Sequence, residues 1–114
     1  IITPYHPIIL EEKTLTDSMQ RNWIFPINLN DSKIIECDRI YSIVLDQYHI
    51  VKINNIECIC LAHNINNCII LKHEYFGTDK IINDMMKKPG WNEGKVIINE
   101  GDLIRGKNDI IGMK

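Results

Sequence analysis

Residues 39–62 leave this chain few ways to fold other than as a sheet. Three runs lie there, 39–45, 49–53 and 56–62, each dominated by β-branched side chains and several alternating. Asp46-Gln47-Tyr48 and Asn54-Asn55 stand between them as short turn signals, so the stretch reads as a three-strand meander. Because successive strand residues point to opposite faces, Cys58, Cys60 and Ala62 are expected on one face and Ile59 and Leu61 on the other.

The flanking sequence extends the pattern. Residues 8–10, 23–25, 34–37 and 95–98 also read as strands, and 68–71 is a further apolar run. Residues 11–22 are polar without apolar rhythm and predict an exposed loop. A helix is expected after Thr78, which is suited to cap it, with Asp79 in the first turn and Ile81, Ile82, Met85 and Met86 as the core stripe. Pro89-Gly90 should end that helix, and a tail carrying Leu103-Ile104 and Ile110-Ile111 follows. With no internal repeat or low-complexity linker, residues 1–114 are expected to form one mostly β domain with a single late α-helix.

Length and charge bound the function. A chain of 114 residues, 45% hydrophobic and 25% charged, is of a size to bury its own core. A net charge of -2, with no basic run longer than Lys87-Lys88, argues against nucleic acid or an anionic membrane as partner. No apolar run approaches the roughly 20 residues of a bilayer span, and the N-terminus lacks a signal-peptide layout. The four cysteines, Cys37, Cys58, Cys60 and Cys68, need not be staples in so aliphatic a chain, so a reducing setting, cytoplasm or virion, is expected. The 24 isoleucines and 12 asparagines against one alanine reflect A/T-rich codons, as in some viruses and protists, before they reflect function.

Thr3-Pro4-Tyr5-His6-Pro7-Ile8 is the stretch with the most chemistry. A hydroxyl and an imidazole three residues apart, on a backbone stiffened by Pro4 and Pro7, can be aimed at one peptide bond. Acyl transfer at that bond needs a donor to the carbonyl oxygen and a group that protonates the leaving nitrogen, and Thr3 and His6 can supply both. The competing reading is an exposed turn, since Pro-x-His-Pro also occurs in ordinary loops. A Cys or Ser nucleophile must stand beside the pair, and none lies upstream of Thr3 in this sequence.

Read with 39–64, the motif gains context. The run Ile40-Tyr41-Ser42-Ile43-Val44-Leu45, then His49, Asn54-Asn55-Ile56 and Ala62-His63-Asn64 resembles the C-terminal blocks of the Hint superfamily, the inteins and hedgehog autoprocessing domains. The Vint branch is the closest resemblance, through Trp23-Ile24-Phe25-Pro26, Ile56-Glu57-Cys58-Ile59-Cys60-Leu61-Ala62-His63, His73-Glu74-Tyr75-Phe76-Gly77-Thr78 and Pro89-Gly90-Trp91-Asn92-Glu93-Gly94-Lys95-Val96. The resemblance implies a Hint-like horseshoe of short twisted strands with one late helix, in which an N-terminal Cys or Ser attacks the preceding carbonyl. It further implies Thr3 and His6 as activators of the scissile peptide and His49, Cys58 and His63 as pocket residues.

Hint domains place the nucleophile and their first strands before Thr-x-x-His. This chain alone is therefore expected to be incomplete, with an N-terminal Hint segment carrying the Cys or Ser, in the same precursor or a separate chain, as its partner. A degenerate fold kept as a binding or structural module is the alternative. His63-Asn64 resembles the pair whose asparagine cyclises in inteins, but 50 residues follow Asn64, so it reads as a turn. Cys58, and less so Cys60, are candidate secondary nucleophiles if a histidine lowers their pKa, and buried inert thiols otherwise. No cofactor or metal is expected: Cys58-x-Cys60-x2-His63-x4-Cys68-x4-His73 has the donors for zinc but lacks a knuckle spacing. Trp23, Phe25, Tyr75, Phe76 and Trp91 read as packing residues.

Overall fold

A computed structural model describes residues 1–10 and 22–114, so all but the last residue of the expected loop at 11–22 lies outside the described residues. Three strands form one antiparallel sheet: β1 (Ile8–Leu10), β2 (Ile50–Ile53) and β3 (Ile56–Ile59), in the order β1-β3-β2. β2 and β3 are joined by Asn54 and Asn55 at φ 50° and 66°. Two consecutive left-handed residues are what a tight hairpin turn with the twist of its strands requires, and asparagine tolerates them well. In register, Cys58 stands opposite Ile8 on one side and Val51 on the other.

The expected meander is corrected at its first strand. A meander would lay 39–45 on the outer edge of β2; it forms no strand there, and the third strand of the sheet is instead β1, on the other edge of β3. What remains of that segment's pairing is one bond, from the Leu61 N–H to the Ile43 carbonyl at 3.1 Å. Residues 34–37 likewise form no strand, and Ile34, Ile35 and Tyr41 are 88%, 58% and 72% exposed. Residues 23–25 reduce to one bridge, Ile24 with Ile8, through two bonds of 3.0 Å. β3 also ends earlier than expected, at Ile59. Ala62 and Asn64 take φ 57°, which an extended strand cannot, so the alternation of faces does not run on to Ala62.

The helix α1 (Asp79–Met85) starts where the capping signal places it. Thr78 Oγ1 accepts the Lys80 N–H at 3.3 Å and donates to the Glu74 carbonyl at 2.8 Å. Ile81 and Met85, four residues apart on one face, are buried, whereas Met86 falls at the cap and is 55% exposed. Beyond it the tail is a hairpin, β4 (Leu103–Arg105) with β5 (Ile110–Met113), with an irregularity between Ile104 and Arg105. Residues 95–98 make no ladder, yet their period of two is kept, since Val96 and Ile98 pack on the core and Ile97 faces solvent. Residues 68–71 form turns that bury Leu71.

The core lies between α1, the β4–β5 hairpin and the loops at 60–64 and 73–77. Ala62, Tyr75, Ile81, Met85 and Met113 are its buried members, ringed by Leu61, Phe76, Ile82, Trp91, Val96, Leu103 and Ile110. Ile8, Ile9, Ile59 and Cys60 are buried at the three-stranded sheet. Ile8 and Ile9 point to opposite faces, so both faces of β1 are covered. Small antiparallel strands with one helix make this a Hint-like β fold.

Candidate functional site

Thr3 and His6 close one turn. The His6 N–H donates to the Thr3 carbonyl at 3.2 Å, with Pro4 setting the second residue of the turn. The segment is tied down by the Ile27 N–H on the Pro4 carbonyl at 3.1 Å and by Tyr5 edge-on to Phe25, centroids 5.4 Å apart. Thr3 itself is exposed.

His6 is fixed to the strand that carries Cys58. Its Nε2 lies 2.7 Å from the Ile59 carbonyl, while the Ile59 N–H donates to the Pro7 carbonyl at 3.2 Å. A carbonyl only accepts, so the proton sits on Nε2 and Nδ1 carries the lone pair. Burial pushes the pKa of His6 down, partly opposed by the bond to Ile59. The imidazole is therefore a neutral base with one defined nitrogen for a further partner.

Cys58, half-buried on β3, has only a long contact from Sγ to the Ile56 carbonyl, at 3.9 Å. Burial raises its thiol pKa. Cys60 is 3% exposed, and burial, then its neighbour Cys58, raises its thiol too. No histidine activates either thiol, so both are protonated at neutral pH and weak nucleophiles as they stand.

A second group lies past the end of β3. His49 follows Tyr48, and both are left-handed, at φ 47° and 70°. Its carbonyl accepts the Cys60 N–H at 2.7 Å, and its Nδ1 is buried with no hydrogen-bond partner among the described residues. His63 is 7% exposed, with Nδ1 accepting the Ile65 N–H at 2.9 Å and the Leu71 carbonyl as its other partner. Burial depresses its pKa, and the charges of His49 and His73 add to that while the Leu71 bond opposes it. Of the five expected residues, His6 is bonded to β3 and Cys58 lies on it, Thr3 closes the turn with His6, and His49 and His63 stand near the chain that leaves β3 at Cys60.

Asn64, expected as a turn residue, is left-handed just past the turn at 61–62. It takes φ 57° and gives its side-chain amide to Asp79 Oδ1 at 3.0 Å. Two residues outside the expected set form a pair here: His73, whose charge reaches His63, has its Nε2 2.8 Å from Asp109 Oδ2. His73 belongs to a motif string noted above, but a contact across 36 residues leaves no local trace. A cavity of about 310 Å³ adjoins the pair, lined by Lys72, Tyr75, Lys80 and Ile110 among others. A larger hollow along residues 35–38 touches none of the site residues. Among the described residues no three His, Cys, Asp or Glu side chains converge as metal ligands, and no helix is long and apolar enough to cross a membrane.

The lowered histidines make stability depend on pH. Below the ordinary 6.5 of a histidine, the unfolded chain takes up protons that folded His6 and His63 refuse, so stability falls with acidification. Urea midpoints should drop between about pH 7.5 and about pH 5, and by less in His63→Gln. An equal drop in that variant would assign the effect to other groups.

A mostly β fold of short antiparallel strands, with a Thr-x-x-His turn pinned to a cysteine-bearing strand, is the fold of the intein and hedgehog-like autoprocessing class. The sequence pattern of the Vint family, described as a Hint domain, matches residues 1–111, and the chain belongs to that family. No curated protein sequence matches it significantly.

Proposed function

We propose that this chain is the C-terminal part of a self-cleaving autoprocessing domain, working with a preceding segment that supplies a Cys or Ser nucleophile. The observation that carries the reading is the His6 Nε2 contact with the Ile59 carbonyl, which leaves Nδ1 as the nitrogen with the lone pair. In the step we assign, Nδ1 takes the proton of the attacking thiol or hydroxyl. The sulfur or oxygen bonds to the preceding carbonyl carbon, and the Thr3 hydroxyl donates to the carbonyl oxygen as charge builds on it. The C–N bond then breaks, the imidazolium returns its proton to the nitrogen, and a thioester or ester remains for an external nucleophile to cleave. His49, Cys58 and His63 line and support the site.

The intact mass of the protein made from its full reading frame tests this. Two fragments are expected, the C-terminal one beginning with Cys or Ser, with cleavage accelerated by dithiothreitol if the nucleophile is a thiol. A single uncut mass that persists with thiol, although a Cys or Ser is present upstream, would overturn it.

One observation favours a second reading, a non-catalytic binding module. Ile34, Ile35, Ile40, Tyr41, Ile43, Val44 and Tyr48 are all substantially exposed, an apolar stretch of strand-forming residues with little pairing of its own. A single uncut mass together with a stably bound protein would be its result.

A further inference from the structure

We infer that Asp109 and His73 are positioning residues that fix the wall against which His63 is held; the inference rests on the reading of His63 as a site residue. Asp109 sits in the turn between β4 and β5, where its carbonyl accepts the Gly106 N–H at 2.6 Å and its Oδ1 the Ile110 N–H at 2.8 Å. Its other oxygen, Oδ2, is the one that meets His73 Nε2.

That contact selects a tautomer. A carboxylate only accepts, so the ring proton belongs on Nε2 and Nδ1 is left as an acceptor. Nδ1 then takes two backbone donors, the Tyr75 N–H at 3.1 Å and the Phe76 N–H at 2.9 Å. The other neutral tautomer would put a hydrogen on Nδ1, facing both donors and satisfying neither. With the carboxylate 59% exposed and the imidazole 25%, the pair is too wet to add much stability as an ion pair. Its effect lies in the choice of nitrogen.

The curl so fixed is what brackets His63. The Gly77 N–H closes it on the His73 carbonyl at 3.0 Å. From the curl, the Phe76 carbonyl accepts the Ala62 N–H at 2.8 Å and the Gly77 carbonyl accepts the Asn64 N–H at 2.7 Å. The residues on either side of His63 are thereby held. Gly77 lies so close that a Cβ on it would stand 3.0 Å from His63 Nε2 and 2.8 Å from the His73 carbonyl. A carboxylate in the C-terminal hairpin therefore sets the seating of a histidine 46 residues earlier in the chain.

Ring-nitrogen NMR of the 114-residue chain tests this without any cleavage assay. Wild-type His73 is expected as the Nε2–H tautomer with an unprotonated Nδ1; finding Nδ1–H would overturn the proposal, even if every variant failed to fold. In Asp109→Ala, His73 should populate the Nδ1–H tautomer. The His63 ring and the Ala62, Asn64 and Ile65 amides should shift, with amide exchange at 62 and 64 about tenfold faster, while His6 stays unchanged. Asp109→Glu should restore the tautomer. Tyr75→Phe, which loosens the same loop at a different bond, should leave it alone. A folded Asp109→Ala chain with His73 and His63 signals unmoved would sink the idea. Absence of cleavage in the full-length protein would count against the proposed function and leave these signals intact.

Discussion

Replacing His6 by alanine is expected to slow self-cleavage of the protein made from its full reading frame by about 10²–10⁴-fold, the span typical of a positioned general acid–base group. Two losses combine. The variant removes the Nδ1 lone pair that takes the nucleophile's proton, and it frees the Ile59 carbonyl that orients the ring at 2.7 Å. His6→Gln separates them, because a glutamine amide can still donate to that carbonyl but cannot shuttle a proton. It should fold like the parent and cleave nearly as slowly as the alanine variant. Product fraction followed by intact mass over time reads both, and cleavage in His6→Ala within about tenfold of wild type would remove His6 from the mechanism. Thr3→Ala should cost less, since a single donor to a developing oxyanion is worth at most about 10²–10³ and exposed Thr3 competes with water.

Tyr75→Ala is expected to cost about 3–5 kcal/mol, as large aromatic truncations in cores do. Tyr75 is 2% exposed, packs edge-on to Phe76 at 5.3 Å and touches the buried set of Ile81, Met85 and Met113. Its hydroxyl donates to Asp84 Oδ2 at 2.8 Å, tying the 73–77 loop to α1. Burial, with Asp84 beside it, pushes the phenol pKa far up, so the donor stays protonated in alkaline solution as well. Since small domains hold only about 5–15 kcal/mol in all, the alanine variant should be close to unfolded at ambient temperature. Tyr75→Phe keeps the ring and loses one hydrogen bond, about 1 kcal/mol. Urea unfolding distinguishes the two, and equal midpoints for Ala and Phe would show that the ring's burial does not stabilise the core.

What was legible in the sequence is what depends on neighbours along the chain. Thr78 and Asp79 mark a helix start because the cap bond spans two residues, and Asn54-Asn55 mark a turn because left-handed backbone is a property of the residues themselves. The motif Thr3-x-x-His6 was legible as one turn for the same reason. Pairing was not: 39–45 has as strong a strand pattern as 8–10, yet it adds no strand beside β2 while 8–10 pairs with β3, and period alone cannot say which segment joins the sheet. Val96 and Ile98 show the reverse case, an alternation that is kept by packing without any ladder. The contact of His6 with the Ile59 carbonyl, and that of His73 with Asp109, arise from tertiary placement that spacing does not encode.

The β1–β3 pairing joins Ile8 to Cys58 across 50 residues, whereas the β2–β3 hairpin turns within two. Closing a long loop is entropically costlier than closing a short one, so the hairpin is expected to form first and β1 to dock on it later. His6 meets the Ile59 carbonyl only on that docking. The fold thereby imposes an order in time, in which a nascent chain cannot assemble the Thr3–His6 turn against its strand until just over half of these 114 residues have been made and β1 has docked.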